Sequence, residues 1–267
     1  MRKLSEDLLR RFISESISGN DCNLIVEGNP FYGILMDPDL TSKELATPAG
    51  AKKVSSIIDS LRSSGLLQKI NTFSKKYNVP REFLLGVIVD EQLRAYGKSQ
   101  IQTSDIWDDI LAYFNPSTTS VGIAQIEPMV FFNLIKQKWS PAGIPKDLKD
   151  EILSDSSNRG STATHSKISK ELRANSSLSV ETVAKLLSDY RNSWKRVKGQ
   201  EKWAKSYDAW ETYAYMFSSG MSSNVLKGMK SPEEREAMGR NKAPSGGQRG
   251  AGIGTIARDY GKEFDSS

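Results

Sequence analysis

The chain has 267 residues, of which 37% are hydrophobic and 26% charged, so it can bury a core and does not resemble a disordered chain. Its single cysteine and single histidine exclude an internal disulfide and leave too few ligands for a metal site, and we predict no cofactor. Acid–base chemistry would then fall to carboxylates, lysine or tyrosine. The net charge of +5 favours an anionic partner or serves simply as a solubilising surface.

Helical periodicity dominates the chain from residue 53 onward. Apolar residues at helical spacing predict a helix over 53–70 and a second helix over 71–77. Pro80 is expected to begin a third helix, because proline is favoured in the first helical turn. Two further apolar stripes follow residue 180, and no alternating strand pattern of any length occurs. The sequence therefore predicts a mainly α fold.

The predicted organisation is an N-terminal extension of unknown role over residues 1–52 and a main domain over 53–267. A Ser-rich stretch at about 154–179 is expected to interrupt this domain as a loop, since nine of its 26 residues are serine and few are apolar. The glycine-rich segment 243–254 is not predicted to bind phosphate, because no predicted strand precedes it and no Gly-Lys-Ser/Thr follows.

One carboxylate of the third helix falls on the face that should point into the core. Glu91 follows Leu84 and Ile88 at the spacing of a single helix face. A buried glutamate must be paired, lie at a cleft or carry a proton, and the last two conditions suit a general acid because desolvation raises a carboxyl pKa. The alternative is a structural glutamate paired with arginine or lysine. Asp90 points about 100° away on the helix and is interpreted as a solvated or structural carboxylate.

Three segments carry a family resemblance. Residues 75–92 (KKYNVPREFLLGVIVDEQ) and 120–128 (SVGIAQIEP) resemble two motifs of the soluble lytic transglycosylase and goose-type lysozyme superfamily. The first motif is the helix that ends in the catalytic glutamate, and the second is the S-x-G-x-x-Q-[IV]-x-P element of the saccharide cleft. Ala214-Tyr215 is similar to the Ala-Tyr of the family's A-A-Y-N-A-G motif. Gln92 stands where the family usually has serine, and the residues after the tyrosine also differ.

The resemblance implies a lysozyme-like helical domain with a cleft that binds peptidoglycan glycan strands and cleaves their β-1,4 linkages. Glu91 would act as the general acid and later as the base. The resemblance assigns substrate binding to four further residues, namely Ser120, Gly122, Gln125 and Tyr215. The alternative interpretation makes 120–128 a tight hairpin that leads into a helix at Pro128, and Tyr215 a core residue.

The type of cleavage is left open by the sequence. Glycoside hydrolysis generally uses a second carboxylate to activate water or to act as nucleophile, and the candidates are Asp105, Asp108 and Asp109. In lytic transglycosylation, as the resemblance implies, the glutamate works alone and the sugar's own hydroxyl closes to leave an anhydro product.

Two other functions compete with the glycosidase. One is a lysozyme-like helical adaptor or binding protein without activity. The other is a thiol hydrolase that uses Cys22 and His165, although no local sequence pattern supports such a pair. No motif indicates a nucleic-acid partner.

The sequence predicts neither a signal peptide nor a transmembrane helix. No run approaches about 18 apolar residues, and Glu6, Asp7 and Arg10 interrupt the N-terminal stretch, so we expect no stable membrane insertion. Because peptidoglycan lies in the periplasm or cell wall, we expect a secretion apparatus or a phage lysis system to deliver the chain there. A secretion-machine component or an immunity protein would then be a partner. The alternative is a shortened chain from which an export signal was removed.

Overall fold

The helices of the chain are seen in a computed structural model that describes residues 40–99, 120–157, 160–196, 201–206, 209–219 and 247–264. These ranges are mainly helical, which confirms the predicted fold class, and their one β-pairing is an isolated bridge between Val121 and Ile126. In chain order the α-helices are α1 (Leu40–Leu45), α2 (Pro48–Ser63), α3 (Leu66–Tyr77), α4 (Arg81–Ser99), α5 (Pro128–Lys136), α6 (Lys146–Ser154), α7 (Thr162–Ala174), α8 (Ser176–Lys195), α9 (Ala209–Ser219) and α10 (Gly247–Tyr260). Short 3-10 helices cover Trp203–Lys205 and Gly261–Phe264. Within the described ranges, every helix is too short or too polar to cross a bilayer.

Helix α4 lies at the centre of the described structure. Its residues 83–91 are all buried, and helices α1, α2, α3, α9 and α10 all pack against it. A helix that is buried on every side needs an almost continuous apolar sequence, which FLLGVIV over 83–89 supplies. The two residues that follow this run, Asp90 and Glu91, are therefore charged groups inside the core.

Helix α10 begins in the glycine-rich segment and makes the most extensive contact with α4. Gly86 of α4 lies directly against its backbone, since a Cβ at Gly86 would come 2.8 Å from the carbonyl oxygen of Ile253. Gly254 lies against the side-chain carboxylate of Glu211 on α9. Glycine lowers helix propensity, but Gly86 lets the backbones of α4 and α10 approach more closely than a side chain would permit.

Two predicted helix boundaries are confirmed and one is wrong. Helix α3 ends before Asn78, which adopts a left-handed conformation with φ of 52° and caps the helix. Helix α4 then begins at Arg81, directly after Pro80, as predicted. The break between α2 and α3 falls at Gly65 rather than after residue 70, because Gly65 adopts a left-handed φ of 73° that ends the first helix.

The prediction of a Ser-rich loop at about 154–179 is wrong, because α7 and the start of α8 occupy this stretch. Its serines support helices in ways that composition does not reveal. Ser161 caps α7 by accepting a hydrogen bond from the backbone N–H of Thr164 at 3.1 Å. Ser179 is fully buried and donates to the carbonyl of Leu172 at 2.8 Å. One face of α7 is buried, comprising Thr164, His165, Ile168, Ser169 and Leu172.

Helix α1 and the start of α2 precede residue 53, where the sequence placed the start of the main domain. They pack with the helices that follow, and α1 contacts both α4 and α10. Residues 1–39 of the predicted extension lie outside the described residues, so the role of the extension stays a prediction.

The carboxylate of Asp155 organises the connection from α6 to α7. It accepts hydrogen bonds from the N–H and the hydroxyl of Ser157 at 2.9 and 2.6 Å. It also accepts from the N–H of Ser161 and the hydroxyl of Thr164, both at 2.9 Å. These bonds, that from the Ser157 hydroxyl above all, hold the pKa of Asp155 well below its usual value. The ionised form is therefore the one that the folded connection stabilises.

We expect Asp155→Asn to lower the melting temperature at about pH 7, because an amide offers fewer and weaker acceptors than a carboxylate. A depressed folded-state pKa stabilises the fold above the unfolded-state value of 3.8, and this contribution is lost as the pH falls toward the folded-state pKa. The difference in melting temperature between wild type and variant, followed by circular dichroism, should therefore shrink below about pH 4. Asp150→Asn, at an exposed position of α6, is the matched control. A difference that is constant with pH would contradict this account.

Candidate functional site

Three charged residues of α4 are buried within little more than one helical turn. Glu91 is 7% exposed, Asp90 is 0% exposed and Arg94 is 5% exposed. Charges removed from water must be compensated by partners or lose their charge. Because the preceding residues are buried on every side, burial alone does not distinguish Glu91 from Asp90, and their surroundings must do so.

Asp90 is a structural carboxylate, which is one of the two roles predicted for it. The hydroxyl of Thr41 on α1 donates to its Oδ1, and Nε of Arg94 donates to its Oδ2 at 3.2 Å. Thr41 is itself fully buried and lies against Gly252 of α10. Asp90 therefore ties α1 to α4 at the residue that precedes Glu91.

The motif over 120–128 forms a tight turn before α5, as the alternative interpretation of this segment expected. Val121 and Ile126 exchange two backbone hydrogen bonds of 3.0 and 2.8 Å. Gly122 and Gln125 adopt left-handed φ values of 76° and 48°, a conformation that favours glycine and is uncommon for other residues. The side chain of Gln125 donates to the carbonyl of Gly122 at 3.1 Å and closes the turn.

Gly122 packs closely against two neighbouring helices of the same chain. A Cβ at this position would come 2.5 Å from the carbonyl oxygen of Leu172 and 2.8 Å from the hydroxyl of Ser179. The turn is thereby seated on α7 and α8, and helix packing alone accounts for glycine at this position.

Gln92 joins the two motifs, a contact that the sequence did not predict. Its Nε2 donates to the carbonyl oxygen of Ile123 at the tip of the turn, at 2.6 Å. Gln92 directly follows Glu91, so the turn of α4 that carries Glu91 is in contact with the 120–128 segment. In sequence terms Gln92 is only a departure from the family pattern, and no local signal indicates its partner.

Glu127 is a second carboxylate at this turn, and sequence reasoning missed it. It is half-buried, and its side chain does not cap α5. Burial raises the pKa of Glu127. Its charge reaches Tyr190 of α8, where burial first, and then the carboxylates of Asp189 and Glu127, raise the pKa of the phenol to about 12. The sequence signal that could have indicated this buried carboxylate is its position between the apolar Ile126 and Pro128.

The Lys-Tyr pair of the first motif holds the end of α3 against α8. Lys76 Nζ and Tyr77 OH both donate to Oε1 of the buried Glu181, at 2.6 and 2.8 Å. The indole N–H of Trp139 donates in turn to the Tyr77 hydroxyl at 2.9 Å. These contacts hold α3 against α8 and explain the two motif residues as structural groups.

The remaining predicted residues are not brought to Glu91 by any described contact. Ser120 is partly buried at the start of the turn. Tyr215 belongs to α9, which packs against α4, but its side chain is not among those described. His165 is buried in α7, edge-on to the ring of Phe132 at 5.8 Å between centroids. Four predicted residues lie outside the described residues, namely Cys22, Asp105, Asp108 and Asp109.

Comparison with known proteins finds no matching family model, no similar curated protein and no similar solved structure. In the part of the chain that the structure describes, no group of three or more His, Cys, Asp or Glu side chains could hold a metal ion. The lysozyme-like family accordingly stays a prediction that rests on the sequence motifs.

Thr41→Val tests the link between α1 and α4. Valine keeps the shape of threonine but removes the hydroxyl that donates to the buried Asp90, so we expect the free energy of unfolding to fall by about 1–3 kcal/mol. Urea denaturation measures this change. Thr41→Ser keeps the hydroxyl and should cost about 1 kcal/mol or less, the value of the lost methyl group. Equal stability of Thr41→Val and wild type would show that the hydrogen bond is not needed.

Proposed function

We propose that this chain cleaves the β-1,4 glycan of peptidoglycan, with Glu91 as the general acid, in the periplasm or cell wall. The observation that carries the proposal is the hydrogen bond from Gln92 to Ile123. It brings together the two sequence segments that resemble the catalytic helix and the cleft element of the lysozyme-like superfamily. Their contact is what a common site requires, although 31 residues separate the two partners in the chain.

The surroundings of Glu91 suit an acid. A general acid must hold a proton near neutral pH and still reach the glycosidic oxygen. Glu91 is 7% exposed, so most of the residue is removed from water while a small part still meets solvent.

Cleavage then proceeds in one of two ways. In both, Glu91 protonates the leaving oxygen and becomes a carboxylate. In hydrolysis a second carboxylate accepts the proton of the attacking water. In transglycosylation Glu91 itself, now a carboxylate, accepts the proton of the attacking sugar hydroxyl. Glu127 joins Asp105, Asp108 and Asp109 as a candidate for the second carboxylate, because it lies half-buried on the turn that contacts α4.

The first test replaces Glu91 by glutamine, which keeps the shape of the side chain and removes the transferable proton. We expect the release of soluble fragments from purified peptidoglycan to fall at least about a hundredfold. Glu82→Gln is the matched control, since it makes the same change in the first turn of the same helix. Circular dichroism should show both variants folded. Activity of Glu91→Gln within a few-fold of wild type would exclude Glu91 as the acid.

A second test couples Glu127→Gln to mass spectrometry of the fragments. If the fragments carry reducing ends, we expect the substitution to lower the rate about a hundredfold, because water needs a base. If they carry anhydro ends, the rate should stay within a few-fold of wild type. Reducing ends from a fully active Glu127→Gln variant would remove Glu127 as the second carboxylate.

A helical adaptor without activity is the competing proposal, and one observation favours it. Gly122 and the Lys76–Tyr77 pair have complete structural explanations in the packing around Leu172 and Glu181. An adaptor would leave peptidoglycan intact and would bind its partner equally well with Gln at position 91. The Glu91→Gln assay therefore separates the two functions.

A further inference from the structure

The net charge of the chain is concentrated in one short stretch. Residues 191–205 contain six basic residues and one acidic residue, and their net charge of +5 equals that of the whole chain. The rest of the sequence is therefore balanced. A field that arises from one place on a protein acts on a partner in one orientation.

The fold brings the described members of this stretch together at one end of α8. The 3-10 helix Trp203–Lys205 packs against α8. It also contacts α9, where the hydroxyl of the fully buried Tyr213 donates to the carbonyl of Ala204 at 3.0 Å. Trp194 and Ala204 are both fully buried beneath the surface. Four cations remain at least partly exposed around this contact and form what we call the basic cluster: Lys195, Arg196, Lys202 and Lys205.

The charges of the basic cluster are not neutralised by ion pairs in the part of the chain that the structure describes. Behind them lies Arg191, which donates to the carbonyl of Asn78 at 2.5 Å and lies over the ring of Trp210. Burial, and then the positive charges of Arg191 and Lys205, lower the pKa of the Lys195 ammonium. Like charges are thus held near one another at a cost that a bound polyanion would relieve.

The backbone at the C-terminal end of α8 indicates which class of polyanion the basic cluster would bind. The cluster surrounds the C-terminal end of α8, where the unpaired backbone groups are carbonyls and the helix dipole is negative. The last turn of α8 therefore presents carbonyl groups rather than N–H groups, in contrast to a helix N-terminus. Three of the four cations are lysines, which act as flexible point charges rather than as the planar forks that read individual phosphates or bases. Such a diffuse field suits a dense layer of negative charge.

We infer that the basic cluster docks this protein on the anionic headgroups of a phospholipid membrane surface, without insertion. Each lysine near such a surface raises the partition coefficient about fivefold, so four cations together produce strong, salt-sensitive attachment. The inference does not depend on the glycosidase proposal, because it concerns another element of the fold and another ligand.

Cosedimentation with lipid vesicles tests this inference. The full chain should bind phosphatidylcholine vesicles in which about a third of the lipid is phosphatidylserine, and should not bind vesicles of phosphatidylcholine alone. Binding should disappear at about 1 M salt, where the screening length falls to about 3 Å. The double variant Lys202→Gln/Lys205→Gln should lower the partition coefficient about 25-fold. Both lysines are exposed, so circular dichroism should show an unchanged fold.

The control is Lys52→Gln/Lys69→Gln, which removes the same charge from exposed positions of α2 and α3. This variant should bind vesicles as wild type does. Equal losses in the two double variants would overturn the inference, because net charge and not the cluster would be responsible. It would also be overturned if wild type failed to prefer anionic vesicles. A cluster variant that kept vesicle binding but lost retention on duplex DNA or on purified peptidoglycan would assign the cluster to that polymer instead.

Discussion

The burial of Asp90 is the constraint on which the rest of the described structure depends. A carboxylate with no exposure to solvent is tolerated only where both of its oxygens find donors. Thr41 and Arg94 supply them. The bond from Thr41 requires α1 to pack against α4 at the level of Asp90. At the same place α10 packs against α1, where Gly252 meets Thr41. One buried charge thus selects the arrangement of three helices.

The sequence predicted those helix boundaries that depend only on neighbouring residues. Asn78 and Pro80 mark the end of α3 and the start of α4 through backbone conformation, which depends only on neighbouring residues. The Ser-rich stretch misled because composition does not distinguish a serine in a linker from Ser161, which caps a helix. The glycines of α10 carried no positive signal for the same kind of reason. Gly252 lies against Thr41 and Gly254 against Glu211, residues far away in the sequence.

In the candidate site, too, local features were predictable from the sequence and tertiary contacts were not. Periodicity correctly placed Glu91 in the core, because helical spacing is a local property. It did not show that residues 83–91 of α4 are buried on every side, since that depends on how many helices surround them. The bond between Gln92 and Ile123 and the raised pKa of Glu127 both arise from tertiary packing. No single-sequence pattern contains them.

The backbone contact between Gly86 and Ile253 has a consequence for how the protein is made. The two residues are more than 160 positions apart, so this contact closes a very long loop and cannot form until most of the chain is present. Helices α2 to α4 are contiguous and can associate early, but one side of α4 then stays uncovered. Synthesis therefore passes through a stage in which the helix that carries Glu91 exists while its surroundings do not. The packing of α10 around this helix is therefore completed late in synthesis.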